Sequence, residues 1–236
     1  MKVIDRNQLA VTEVFSSIQG EGLRMGERHI FVRFKECNLD CAYCDEKNKE
    51  SSFITTDDLS ARVIAINNQK GPHPFVAFTG GEPLLYVSAI KDLFAKLQGL
   101  SFGFYLETNG TLPDSFKKVS DYIDVVAMDI KLASVGRGIS MFGEHHEFLT
   151  LALGREVFVK IVVSQGVDRQ EFMEAVNLIA SIGPDIPLVL QPEDQSFFST
   201  SRHGLLNLMF NLQEAALSRL RDVRVLPRLH KVLGIK

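Results

Sequence analysis

The sequence predicts an α/β fold on a mostly parallel sheet, and two observations carry that reading. Short apolar, β-rich runs recur along the 236 residues. Most are separated by helix-like stretches, the alternation that βα units produce. The runs fall at 29–36, 75–79, 102–107, 124–130, 157–164 and 188–191, with a last candidate at 223–226. The clearest helix spans 168–182: Asp168 can cap its amino end, Glu171 completes a capping-box spacing, and Phe172, Val176 and Ile179 share one face. Leu59, Val63 and Ile66 form a similar stripe earlier, and 71–74 reads as a turn. In such a sheet the carboxyl ends of the strands carry the chemistry, so the motifs should lie there.

Apolar residues make up 45% of the chain and charged residues 23%, enough for an ordinary core without external staples. The length, with no repeat, low-complexity stretch or linker, leads us to expect one domain over 1–236. A net charge of −3, with both signs interleaved, advertises no nucleic-acid surface and makes small molecules the expected substrates. The first fifteen residues have no basic start followed by an apolar stretch, and no apolar run approaches membrane-spanning length. A cytoplasmic protein is expected.

The three cysteines all lie between 37 and 44, too close together for a long-range disulfide framework. FKECNLDCAYCD has the spacing C-x3-C-x2-C directly after a strand, so Cys37, Cys41 and Cys44 can reach one metal centre from a short loop. Iron-sulfur cubanes take thiolate ligands and ordinarily need four. Three leave one iron open to chelate the amino and carboxylate groups of a methionine. The competing reading is a Cys3His zinc site. His203 is a candidate fourth ligand, whereas His29 opens the strand leading to Cys37 and should sit at the far end of the sheet.

A second motif bears on that choice. FVAFTGGEP puts Thr79, Gly80, Gly81, Glu82 and Pro83 just past an apolar strand. Paired glycines allow close backbone approach, and Glu82 can accept hydrogen bonds from an ammonium. Together with the cysteine spacing this resembles the radical S-adenosylmethionine (SAM) superfamily, whose GGEP-like stretch binds the SAM amino group.

Upstream, VFSSIQGEG (14–22) reads from its residues as a flexible polar turn. Taken with FVRF, TGGEP, LETNGT (106–111), DIKL (129–132), QPED (191–194) and LHKVLGIK (229–236), it resembles the 7-carboxy-7-deazaguanine synthase family over nearly the whole chain. The resemblance implies a partial, modified (β/α) TIM-like barrel and a homodimer. It also implies a 4Fe-4S cluster, SAM, and an electron donor such as flavodoxin or ferredoxin. The implied reaction turns 6-carboxy-5,6,7,8-tetrahydropterin into 7-carboxy-7-deazaguanine with loss of ammonia, toward queuosine and related deazapurines, a 5'-deoxyadenosyl radical removing hydrogen from substrate C6. Carried over by motif position, Ile18, Gln19 and Gly20 would contact the pterin, Arg33 its carboxylate, and Thr79 the substrate. Gly81 and Glu82 would touch SAM, and Tyr43, Cys44, Asp45, Asp129, Ile130, Lys131, Gln191, Pro192, Glu193 and Asp194 would line its adenosine side. His230 would help close the pocket. The plain structural alternatives are that Arg33 pairs with an acid, that the polar strand-end residues merely end buried strands, and that His230 packs near a terminus. The pair His145 and His146 reads as a solvated helix face.

One position departs from the family pattern. Two residues past the third cysteine the family usually carries threonine, which helps hold a magnesium ion; here it is Glu46. Glutamate is a hard oxygen ligand, but its charge would repel the substrate carboxylate unless the metal sat between them. Tyr43, where tryptophan is common, still offers an aromatic face. Two rival functions share parts of the pattern: an activase abstracting hydrogen from a partner protein's glycine, and a non-catalytic cluster-binding regulatory module.

Overall fold

Side-chain alternation along the strands builds this molecule, and it is best seen in a computed structural model that describes residues 8–47, 49–136, 138–200 and 202–235. In chain order the elements are β1 (Gln8–Ile18), β2 (Arg28–Phe34), β3 (Ser52–Thr55), α1 (Thr56–Lys70), β4 (Phe75–Gly80), α2 (Val87–Leu97), β5 (Gly103–Thr108), α3 (Pro113–Lys117), β6 (Val125–Asp129), α4 (Ala133–Gly136), α5 (Phe142–Ala152), β7 (Glu156–Val163), α6 (Arg169–Ile182), β8 (Leu188–Pro192), α7 (Asp194–Phe197), α8 (Arg202–Leu217), β9 (Val223–Val225) and α9 (Leu229–Leu233). One nine-stranded sheet runs β3-β1-β2-β4-β5-β6-β7-β8-β9. From β2 through to β9 every pairing is parallel. The sheet stays open, with β3 and β9 at its edges, so it is a partial barrel and not a closed one.

The period of two sorts each strand between two environments. Ile30, Val32 and Phe34 of β2, Val76 and Phe78 of β4, Val126 and Met128 of β6, and Leu188 and Leu190 of β8 join the large core under the helices. The helices complete it with Leu59 and Val63 of α1 and Phe172, Val176 and Ile179 of α6, the two stripes legible in the sequence. The opposite, inner face starts apolar, with Phe31, Ala77, Tyr105, Val125, Ala127, Phe158 and Val189 in a second cluster. Continuing the same alternation toward the carboxyl ends brings Arg33, Thr79, Glu107, Asp129, Lys160 and Gln191 onto that inner face.

The predicted parallel strands are all present, within a residue or two at their ends. β1 and β3, which pair antiparallel on the β2 side, were not legible. The stretch 14–22 is therefore corrected: through Ile18 it is strand, and only from Gln19 does it turn. Thr12, Glu13, Ser16 and Ser17 dilute its apolar signal because β1 is only half-buried beyond Val11. Asp168 does cap α6, accepting from the Glu171 amide at 2.9 Å. The box does not close, because the Glu171 carboxylate instead takes the amides of Ala133 at 2.6 Å and Ser134 at 3.0 Å. His145 is not solvated; it is buried against the loop after β5. The amino-terminal residues 1–7 and Lys236, the last residue of LHKVLGIK, lie outside the described residues.

Candidate active site

The inner face, the cysteine loop and α9 enclose a cavity of about 480 Å³. Cys37, Cys41 and Cys44 are free thiols on one loop, and all three line it. Lys35 organises the chain just beyond them, donating to the carbonyls of Lys47 at 2.7 Å and Lys49 at 2.6 Å. Ala42 donates to the Gly136 carbonyl at 3.0 Å, docking the loop on α4. Neither histidine offered by the sequence as a zinc ligand stands at the cysteine loop: His203 is exposed on α8, and His29 is buried at the start of β2, bonded to Glu27. Among the described residues no three or more His, Cys, Asp or Glu are drawn together to hold a single ion. Among the described residues the three free thiols have neither candidate histidine beside them, which fits an iron-sulfur cubane with one open iron better than a compact zinc site.

The TGGEP turn packs directly on this loop. Gly80 has φ +103°, and a Cβ there would stand 2.4 Å from the Phe34 carbonyl. A Cβ on Gly81 would stand 2.0 Å from the Glu36 carbonyl, so both positions require glycine. The expectation for Glu82 is modified. Its carboxylate is buried behind the wall and filled by the Leu84 amide at 3.0 Å, the Thr108 hydroxyl at 2.9 Å and the Asn109 amide at 2.8 Å. Burial pushes its pKa up to about 7 against the pull of those three donors. The side chain braces the turn, and Gly80 and Gly81 are the part that faces the cavity.

At the base of the cavity Gln19 donates to Glu107 at 3.0 Å, and Thr79 donates to the other Glu107 oxygen at 2.7 Å. Ile18, Gln19 and Gly20 all line the wall. Gly20 lies beneath His230: a Cβ there would come 1.9 Å from Nδ1, so the ring can sit where it does only over a glycine. Arg33 does pair with acids, as its structural alternative proposed: Glu13 at 2.8 Å and Glu46 at 3.4 Å. Glu13 stands opposite it across β1 and β2.

Along the far wall Asp129 binds Lys131 at 2.7 Å and Lys160 at 3.3 Å, leaving its Oδ1 buried without a partner. Gln191 Oε1 is likewise buried and unpartnered. Tyr43 lies under the Lys131 ammonium, 5.3 Å from the ring centroid. Asp45 is held by Arg228 at 2.9 Å and Lys231 at 3.4 Å. Ile130, Pro192, Glu193 and Asp194 are not in the wall. Ile130 belongs to the helix-side core, Pro192 ends β8 in the interior, Glu193 accepts from the Ser196 hydroxyl, and Asp194 backs Arg228 at 3.3 Å.

Several wall residues had no role assigned from the sequence: Glu13, Glu21, Lys49, Glu107, Lys160 and Arg228. Lys160 bonds Glu21, and with Arg228 it holds the Glu21 pKa down to about 2 although burial opposes this. Lys160 and Glu107 did leave a signal: each is a charge inside an apolar strand run, and the period of two puts both on the inner face. The wall carries six cations and six carboxylates. Such a mixed field suits ligands that themselves carry both signs.

An open, mostly parallel sheet with three thiols and a glycine-pair turn at its carboxyl edge is the arrangement of a radical SAM enzyme. Residues 31–185 match the Radical SAM superfamily, and the chain belongs to it. The superfamily implies a 4Fe-4S cluster and SAM. A 7-carboxy-7-deazaguanine synthase of Geobacter sulfurreducens is 34% identical, covering 94% of this chain and 96% of the relative. One from Methanopyrus kandleri is 33% identical, covering 95% and 93%. Within the superfamily, the chain is a member of the 7-carboxy-7-deazaguanine synthase family. The fold agrees: the crystal structure of QueE from Escherichia coli superposes with a TM-score of 0.60 at 22% identity, covering 94% of this chain and 95% of that one.

Proposed function

We propose that this chain converts 6-carboxy-5,6,7,8-tetrahydropterin into 7-carboxy-7-deazaguanine with release of ammonia, in queuosine and 7-deazapurine biosynthesis. The observation that carries the reading is one cavity lined by Cys37, Cys41 and Cys44, the Gly80–Gly81 turn and the polar base of Gln19, Thr79 and Glu107. When bound, the cluster and SAM supply a 5'-deoxyadenosyl radical able to take hydrogen from C6. The protein orients the reactants and excludes water.

The Glu107 carboxylate still has lone pairs for the amino and ring N–H groups of a pterin, and Gln19 is an amide beside it. Asp129 Oδ1 and Gln191 Oε1, both lacking partners, suit hydroxyl or amino donors of the adenosine part of SAM. His230 and Arg228 close the cavity from the carboxyl-terminal side.

Arg33 and Lys49 are the cations available to the substrate carboxylate. Glu46 already serves two cations in this arrangement. Its Oε1 already meets the Lys49 ammonium at 2.7 Å and Arg33 at 3.4 Å, so only the buried Oε2 is open to a ligand. The reading also includes a homodimer, a cytoplasmic location, and flavodoxin or ferredoxin as electron donor, to which exposed Cys37 and Cys44 give access. No helix of the described residues is long and apolar enough to cross a membrane.

The test is anaerobic reconstitution followed by incubation with reductant, SAM and the carboxytetrahydropterin. Carboxydeazaguanine should accumulate. SAM cleavage with the pterin untouched would retire the substrate assignment and favour an activase. Copurification of zinc in place of iron and sulfide would retire the cluster.

A further inference from the structure

Three loops of the site meet at one residue. Asn109, buried just past β5, donates through Nδ2 to Asn38 Oδ1 at 2.9 Å and reaches Cys37 Sγ at 3.9 Å. Its Oδ1 accepts from the Thr111 amide at 3.0 Å and hydroxyl at 2.6 Å. Asn38 Nδ2 in turn donates to the Thr111 hydroxyl at 2.8 Å, closing a ring between the cysteine loop and the loop after β5. The Asn109 backbone serves two other partners. Its N–H supplies Glu82 at 2.8 Å, and its carbonyl accepts from His145 Nε2 at 3.0 Å.

His145 is built for that last contact. Burial lowers its pKa, so the ring is neutral, and a carbonyl partner requires the proton on Nε2. Nδ1 is buried with no partner, so the hydrogen bond to Asn109 is the polar contact that orients the ring. Gly110 has φ +69°, and a Cβ there would stand 3.2 Å from the ring and 2.6 Å from Met128. The chain can pass beneath the imidazole only as glycine.

We propose that Asn109 is a positioning residue coupling the cluster ligand Cys37 to the Gly80–Glu82 turn that holds SAM, with His145 the buried strut that sets its backbone. The inference rests on the functional reading above, in which Cys37 ligates the cluster and SAM lies on that turn. A thiolate bound to iron is a stronger acceptor than the free thiol, and an N–H aimed at it favours the more negative, reduced cluster. Through Glu82 the same residue fixes the turn on which the SAM amino group would lie. Asn109 thus sets both the ease of reduction and the placement of the molecule reduced.

The experiment uses anaerobically reconstituted wild type, Asn109→Ala, the near-isosteric Asn109→Asp, His145→Leu and His145→Gln. It measures iron content, cluster midpoint potential by redox titration followed by electron paramagnetic resonance, and SAM affinity. Both Asn109 variants should lower the midpoint potential, and Asn109→Ala should weaken SAM binding by about tenfold, in the range of ligand-orienting contacts around metal sites. His145→Leu should weaken SAM binding too, and His145→Gln, which keeps an N–H donor, should restore it. Unchanged potential and affinity in iron-replete Asn109→Ala, or in Asn109→Asp if the alanine variant does not fold, would overturn the Asn109 role. His145→Gln behaving like His145→Leu would overturn the strut. A wild type that takes up no cluster or binds no SAM would overturn the underlying functional reading.

Discussion

Glu82 is a carboxylate buried among N–H and O–H donors with no cation bonded to it, and the consequence is a pH dependence of stability. Its folded pKa of about 7 lies above the ordinary value of 4.5, so between those values the folded chain binds more protons than the unfolded one. Stability contributed by this group is present at low pH and is lost as pH rises through that window, by at most about 1.4 kcal/mol per pH unit. Urea unfolding of the apoprotein at pH 5, 6, 7 and 8 should show that decline, and Glu82→Gln should flatten it. Glu46 makes a second prediction. With Lys49 and Arg33 already on one oxygen, turnover should survive removal of divalent cations by a chelator. Lys49→Met should raise KM for the carboxylated pterin several-fold, on the order of the 1 kcal/mol or so lost with a partly exposed ion pair; an unchanged KM would remove Lys49 from the carboxylate site. The sequence led to doubt about Glu46 but not to its pairing with Lys49, because a loop contact across three residues has no periodicity to announce it.

At the scale of elements, the parallel strands were legible because they are apolar runs buried on both faces. β1 was not, because half-burial left it polar residues that read as a turn. Position 171 shows a different failure. Its spacing from Asp168 is correct for a capping box, yet α4 offers it two free amides and wins it. That choice has a consequence for the site, since α4 accepts the Ala42 amide of the cysteine loop through Gly136. Glu171→Ala should therefore cost about 1–2 kcal/mol, as loss of a helix cap does, and should also reduce cluster retention, read as iron per chain after gel filtration. Stability loss with full iron content would separate α4 from the loop. Gly80→Ala should be harsher, about 1–3 kcal/mol by thermal unfolding, because it combines a left-handed φ with collision against Phe34.

At the scale of the whole molecule, one sheet with an apolar core under its helices and an inner face turning polar toward the carboxyl ends accounts for both fold and site. The alternation along β2, β4, β5, β6, β7 and β8 is legible residue by residue, and it assigns Arg33, Thr79, Glu107, Asp129, Lys160 and Gln191 to one face. The same alternation sends Ile130 to the helix-side core with Val126 and Met128, whereas Glu193, one residue past β8, leaves the phase of Gln191 and bonds Ser196 instead, which the sequence could not show. A one-domain organisation over 1–236 predicts a single cooperative unfolding transition, with coincident midpoints by circular dichroism and fluorescence. The central claim is that Cys37, Cys41 and Cys44 hold a cluster whose fourth iron is left for SAM. Electron-nuclear double resonance on the reduced, reconstituted protein with SAM labelled with ¹⁵N at its amino group tests it most directly. The account predicts a ¹⁵N hyperfine coupling that disappears on omission of labelled SAM; a cluster signal without that coupling, with SAM bound, would contradict it.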